Sequence, residues 1–91
     1  MNRTQVLAQA DRLINGDRQQ AYGDASVSFA RIAGLWSAYL GVPVAPNDAA
    51  AMMALLKISR ARGNPGHVDS WVDGAAYLAI GGELATEPSN D

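Results

Sequence analysis

Asp69 and Asp73 stand four residues apart in a stretch with helical apolar spacing, so both carboxylates fall on one helix face. Two carboxylates so placed can hold a divalent cation such as Mg²⁺, with waters and substrate phosphate oxygens completing its octahedron. They are equally suited to a structural task. If the helix begins near Asp69, that residue caps it and Asp73 lies in its first turn, close to the positive end of the dipole. A start at Asn64 would instead leave both acids free, and the sequence leaves both starts open. A second group is cationic: Lys57, Arg60 and Arg62, with His67 a few residues on. Lys57 and Arg60 share a face and can meet a phosphate, the Arg through a planar fork and the Lys as a point charge. Cations at a helix C-terminus also offset its negative end, for roughly 0.3–1 kcal/mol each. His67 is the single histidine of a chain without cysteine, which is too little for a structural zinc. The third group is the polar stretch from Arg18 to Asp24, in which Tyr22 can stack on a base and Asp24 can cap the helix that follows.

The elements that must position these groups are helices. Val6, Leu7, Ala10, Leu13 and Ile14 recur at three and four residues, predicting a first helix over about 4–15, capped by Thr4 and ended by a left-handed Gly16. A second helix is expected over about 25–40, with Phe29, Ile32, Ala33, Trp36 and Leu40 inward and Gly41 as its stop. Its Ala30, Gly34 and Ala38 form a small-residue ridge that would admit a neighbouring helix. Pro46 suits the first turn of a third helix, about 46–62. Ala49 to Leu56 contains no polar residue, and a helix apolar all round is a buried or interfacial one. The fourth helix begins between Asn64 and Asp69, and Gly81-Gly82 is expected to stop or fray it. The prediction is all-α: a four-helix bundle-like single domain over residues 1–82, with a flexible tail at 83–91.

Composition narrows the functions. Ninety-one residues make one core, and at 48% hydrophobic and 18% charged the chain is not globally disordered. So short a chain buries only about 60–65% of its unfolded surface, and with two tryptophans and the apolar third helix this predicts a homo-oligomer. A formal charge of −2 argues against general nucleic-acid binding, which needs a positive excess. No signal-like run or long apolar stretch is present, so no membrane partner and a cytoplasmic location are expected. Phosphate-loop, dinucleotide and nucleophile-elbow patterns are missing.

Asn15-Gly16-Asp17-Arg18, Tyr22-Gly23-Asp24, Phe29 to Trp36, Met53 to Arg60 and His67-Val68-Asp69 through Asp73 together resemble a family of small phage-encoded domains of unknown function. The set is similar to nucleotide-modification-associated phage domains and, more distantly, to MazG-like pyrophosphohydrolases. That resemblance implies a phage protein with a nucleotide-related role. MazG-like enzymes gather Mg²⁺ with a Glu-Glu-x-x-Glu set and a Glu-x-x-Asp pair. Here the matching helix offers only Asp48, Lys57 and Arg60.

The acid deficit favours binding over hydrolysis. The leading expectation is a non-catalytic binder of a small nucleotide-like anion, built from Arg18, Tyr22, Asp24, Lys57, Arg60, His67, Asp69 and Asp73. It needs no resident cofactor. The alternatives are a Mg²⁺-dependent hydrolase using Asp69 and Asp73, and a module that binds a host protein.

Overall fold

The computed structural model describes residues 1–17 and 24–87, so Arg18 and Tyr22 lie outside it. The described residues form four helices and no strand, as expected: α1 (Arg3–Arg12), α2 (Ala25–Leu40), α3 (Pro46–Gly63) and α4 (Val68–Thr86). α3 and α4 are the main pair, with α2 packed on α3 and α1 on α4.

Helix boundaries follow local chemistry, with three departures from expectation. The cap of α1 is Asn2 rather than Thr4. Asn2 Oδ1 accepts from the Gln5 amide and Gln5 Oε1 accepts from the Asn2 amide, both at 2.8 Å. That reciprocal pair satisfies two orphan donors at once, which a lone Thr hydroxyl would not. Gly16 is not a left-handed stop either. The chain kinks there, with Gly16 in a non-helical conformation at φ −114° and ψ −109°. The left-handed terminator is Gly41, at φ +73°, whose N–H donates to the Ser37 carbonyl at 2.9 Å.

The third departure is at Gly81-Gly82, where α4 runs on to Thr86 instead of stopping, so residues 83–86 of the expected tail are helical. Packing explains it. A Cβ on Gly81 would sit 3.4 Å from Ala50 Cβ, and one on Gly74 would sit 3.6 Å from Lys57 Cβ. Positions 74 and 81 on α4 thus face 57 and 50 on α3, an antiparallel register in which small residues let the backbones approach. Ala50, Ala54, Ala61 and Ser70 are buried along this seam, and Leu84 reaches the core beyond it. Gly82 has nothing within 4 Å and is exposed, so its glycine serves no contact. Gly82→Ala is expected to stabilise the domain by about 0.5–1 kcal/mol and to raise Tm by several degrees in a thermal melt. An unchanged Tm would mean that the helix frays past Gly81.

The core sits mainly where α2 meets the α3–α4 pair. Phe29, Ala33, Ala49, Ala50 and Ile80 are buried there, with Ile32, Trp36, Met53 and Tyr77 packed around them. Phe29 meets Tyr77 edge to face, with centroids 6.1 Å apart. A smaller cluster of Ala10, Val72 and Ala76 joins α1 to α4. Ser37 ties the α2–α3 connection: its hydroxyl donates to Ala33 O at 2.7 Å and accepts from the Val44 amide at 2.8 Å.

Several expected inward groups face out. Ala30, Gly34 and Ala38 are exposed, so the ridge on α2 carries no helix of this chain. Leu40 and Leu7 are exposed at their helices' outer edges. Trp36 and Tyr77 pack on the core, whereas Tyr39 and Trp71 do not. The Trp71 indole N–H donates to Pro65 O at 2.9 Å and fastens the α3–α4 turn. α3 is buried only on the side facing α4 and α2.

Candidate functional site

α4 begins at Val68 with His67 in the capping position, which makes Asp69 a first-turn acid near the positive dipole end. Asp73 follows one turn later, and Val72 lies between them on the same side. α1 presents the same spacing in Gln9, Arg12 and Leu13. The two triads form opposite walls of an open hollow of about 330 Å³, at the small end of ligand-pocket volumes. The Val72 and Ala10 packing beneath it holds the walls together.

Lys57 of α3 does not line the hollow but pairs with Asp73 in its wall. Its Nζ lies 3.1 Å from Asp73 Oδ2, with the two side chains 17% and 22% exposed. Gly74, next to Asp73, lets the Lys57 stem lie against α4. Asp69 is far more open, and His67 Nε2 stands 3.9 Å from its Oδ2, an ion pair only when the imidazole is protonated. Arg12 forms no ion pair with a described residue.

The structure thus brings three of the expected residues together. Asp69 and Asp73 line the hollow and Lys57 pairs with one of its walls. Arg60 is exposed on α3 and His67 is exposed at the head of α4, neither of them lining the hollow. Asp24 is engaged in capping. Its Oδ1 accepts from the Ser26 amide at 3.0 Å, and that hydrogen bond holds its carboxyl below the ordinary 3.8. Gln9 and Arg12 are the residues that sequence reasoning missed. They flank the apolar stripe of α1, and nothing in that stripe says which helix its edge will meet.

The charges in and beside the hollow balance: the carboxylates of Asp69 and Asp73 against the cations of Arg12 and Lys57. A bare anion would meet repulsion from the two acids, whereas a phosphate bringing its own divalent cation would meet a partner for each charge. Among the described residues no group of three or more His, Cys, Asp or Glu side chains could hold a metal. Two carboxylates alone supply only part of the oxygen shell of a divalent cation.

Comparison with known proteins places the chain in a class. The family described as "Domain of unknown function (DUF6378)" matches residues 5–85, and the chain belongs to it. The chain is similar to the Gene 55 protein of Mycobacterium phage L5, 49% identical over 76 residues, which is 82% of this chain and 49% of that protein. It is also similar to the Gene 55 protein of Mycobacterium phage D29, 39% identical over 83 residues, covering 91% of this chain and 55% of that protein. The chain therefore spans about half the length of these curated relatives. No solved structure matches it. Among the described residues, no helix is long and apolar enough to cross a membrane.

Proposed function

We propose that this is a phage accessory protein that binds a small phosphorylated ligand of the nucleotide class in the α1–α4 hollow, without turning it over. One observation carries the reading. Arg12, Asp69 and Asp73 line one hollow between α1 and α4, and Lys57 of α3 is ion-paired to Asp73 in its wall. Arg12 and Lys57 take phosphate oxygens, and the cation that accompanies the ligand bridges them to Asp69 and Asp73. The nucleotide class rests on the resemblance to nucleotide-associated phage domains. Two acids are too few to assemble the metal cluster of a pyrophosphohydrolase, which favours binding over hydrolysis. In the cytoplasm of an infected bacterium such a protein would sequester a signalling nucleotide or steer a nucleotide pool.

Titration calorimetry with nucleotides and cyclic nucleotides, with and without Mg²⁺, tests this. The expected result is binding that Mg²⁺ strengthens and that Arg12→Ala weakens at least tenfold, about 1.4 kcal/mol, while Arg60→Ala leaves it unchanged. No heat across the panel, or equal binding by Arg12→Ala, would remove the proposal. Pyrophosphate release from the same nucleotides would replace it with the hydrolase reading.

A second reading has its own support. On α2, Leu35 and Tyr39 are 65% and 88% exposed at four-residue spacing, an apolar stripe suited to a host protein. A stoichiometric host partner that is lost with Tyr39→Ser, and unmoved by nucleotide, would favour this module.

A further inference from the structure

We propose that α3 is a dimerisation helix, which pairs antiparallel with a second copy of itself about a two-fold axis at Leu55. Ala50, Ala54, Lys57 and Ala61 turn toward α4, so the opposite face of α3 should be polar if it only met water. Instead Asp48, Ala51, Met52, Leu55, Ile58, Ser59 and Arg62, all exposed, form a face that is apolar along its middle and charged only at its ends. Leu55 and Ile58 are 62% and 59% exposed.

The spacing of this face sets the occupant. Through Asp48, Ala51, Leu55, Ile58 and Arg62 it steps by three and four residues in turn, the periodicity of a helix–helix seam. Asp48 and Arg62 lie seven residues to either side of Leu55. In an antiparallel pair centred on Leu55, Leu55 meets its own copy, Met52 meets the partner's Ile58, and Asp48 meets the partner's Arg62. The charges therefore complement each other twice, once at each end. A parallel pair would place Asp48 beside Asp48 and Arg62 beside Arg62, and like charges across an interface are penalised. The Asp48 and Arg62 charges form no ion pair within the described chain.

Eighteen residues of α3 give a strip about 27 Å long and roughly 10 Å wide. Leu56, half exposed, widens it on the α2 side. The strip is smaller than the ~800 Å² per partner of a standard interface, so the dimer should be concentration-dependent. It lies on the face of α3 turned away from Lys57, and its failure would leave the ligand proposal untouched.

Sedimentation velocity from about 1 to 300 µM should show the mass rising from 9.6 kDa toward twice that value. Leu55→Lys sets two ammonium groups on the axis and should remain monomeric throughout, with its helical circular dichroism intact because the site is exposed. The chain has no cysteine, so Leu55→Cys should give a disulfide-linked dimer on mild oxidation while Leu78→Cys, exposed on α4, does not. A monomer at every concentration, association unaffected by Leu55→Lys, or equal cross-linking at position 78 would each overturn the proposal. So would a monomer whose α3 face takes up a host protein instead.

Discussion

Phe29→Ala is expected to cost about 3–5 kcal/mol, a large share of what holds so small a domain together. The size of that effect follows from how the core is made. Of the ten buried apolar side chains among the described residues, only Phe29, Val72 and Ile80 are larger than alanine. Phe29 is the sole ring among them, 5% exposed and set edge to face on Tyr77. Its neighbours Ala33, Ala49 and Ala50 are methyl groups on packed backbones. They cannot swing into the space a ring would vacate, which leaves only the longer side chains around them to close it, and much of the cavity term is retained. A domain of this length has on the order of 5–14 kcal/mol in total, so one substitution removes a large share of it. Urea unfolding followed by circular dichroism should show the midpoint falling steeply. A loss below 1 kcal/mol would mean that α2 is not held to α3 and α4 by this ring. The proposed α3 dimer would add stability by mass action, so the measurement belongs at one fixed, low concentration.

Much of this architecture is legible in the residues because local rules and packing agree. Gly41, Pro46 and the cap at Asp24 mark helix ends through backbone chemistry that no tertiary contact overrides. Phe29, Ala33 and Trp36 mark the inward face of α2 by their spacing. The errors arise where one residue type serves two ends. Gly81 reads as a stop because glycine is a poor helix former, yet here its missing Cβ is what lets α4 lie against Ala50. Leu84 beyond it adds buried surface that offsets the propensity cost. Ala30, Gly34 and Ala38 show the converse, a packing ridge by composition that no helix of this chain fills. Asp69 and Asp73 are legible as a pair because their spacing is set within one helix. Arg12 is not, since its relation to them depends on how α1 crosses α4, and a single amphipathic stripe carries no information about its partner.

Lys57 and Asp73 allow stability and ligand binding to be told apart. Each is about four-fifths buried, so the pair is screened less than a surface ion pair yet keeps some water. Asp73→Ala leaves the Lys57 ammonium between α3 and α4 with no acceptor, for an expected loss of about 1–3 kcal/mol. Lys57→Met keeps the stem that packs on Gly74 and leaves Asp73 beside Asp69, a like-charge pair one turn apart. Asp73 is then mostly buried without a cation, so the loss should be of similar size, and greater at low salt than at high. The double variant Lys57→Met/Asp73→Ala removes both charges from the seam together. It should recover most of the stability that Asp73→Ala loses, because desolvating the ion pair offsets much of its attraction. Denaturant midpoints of the three variants test this, and a double variant as unstable as the sum of the singles would show that the pair contributes no coupling. The same double variant should bind no phosphorylated ligand while remaining folded. Retained nucleotide affinity in that stable protein would move the ligand away from the hollow and leave the ion pair as a clamp between α3 and α4.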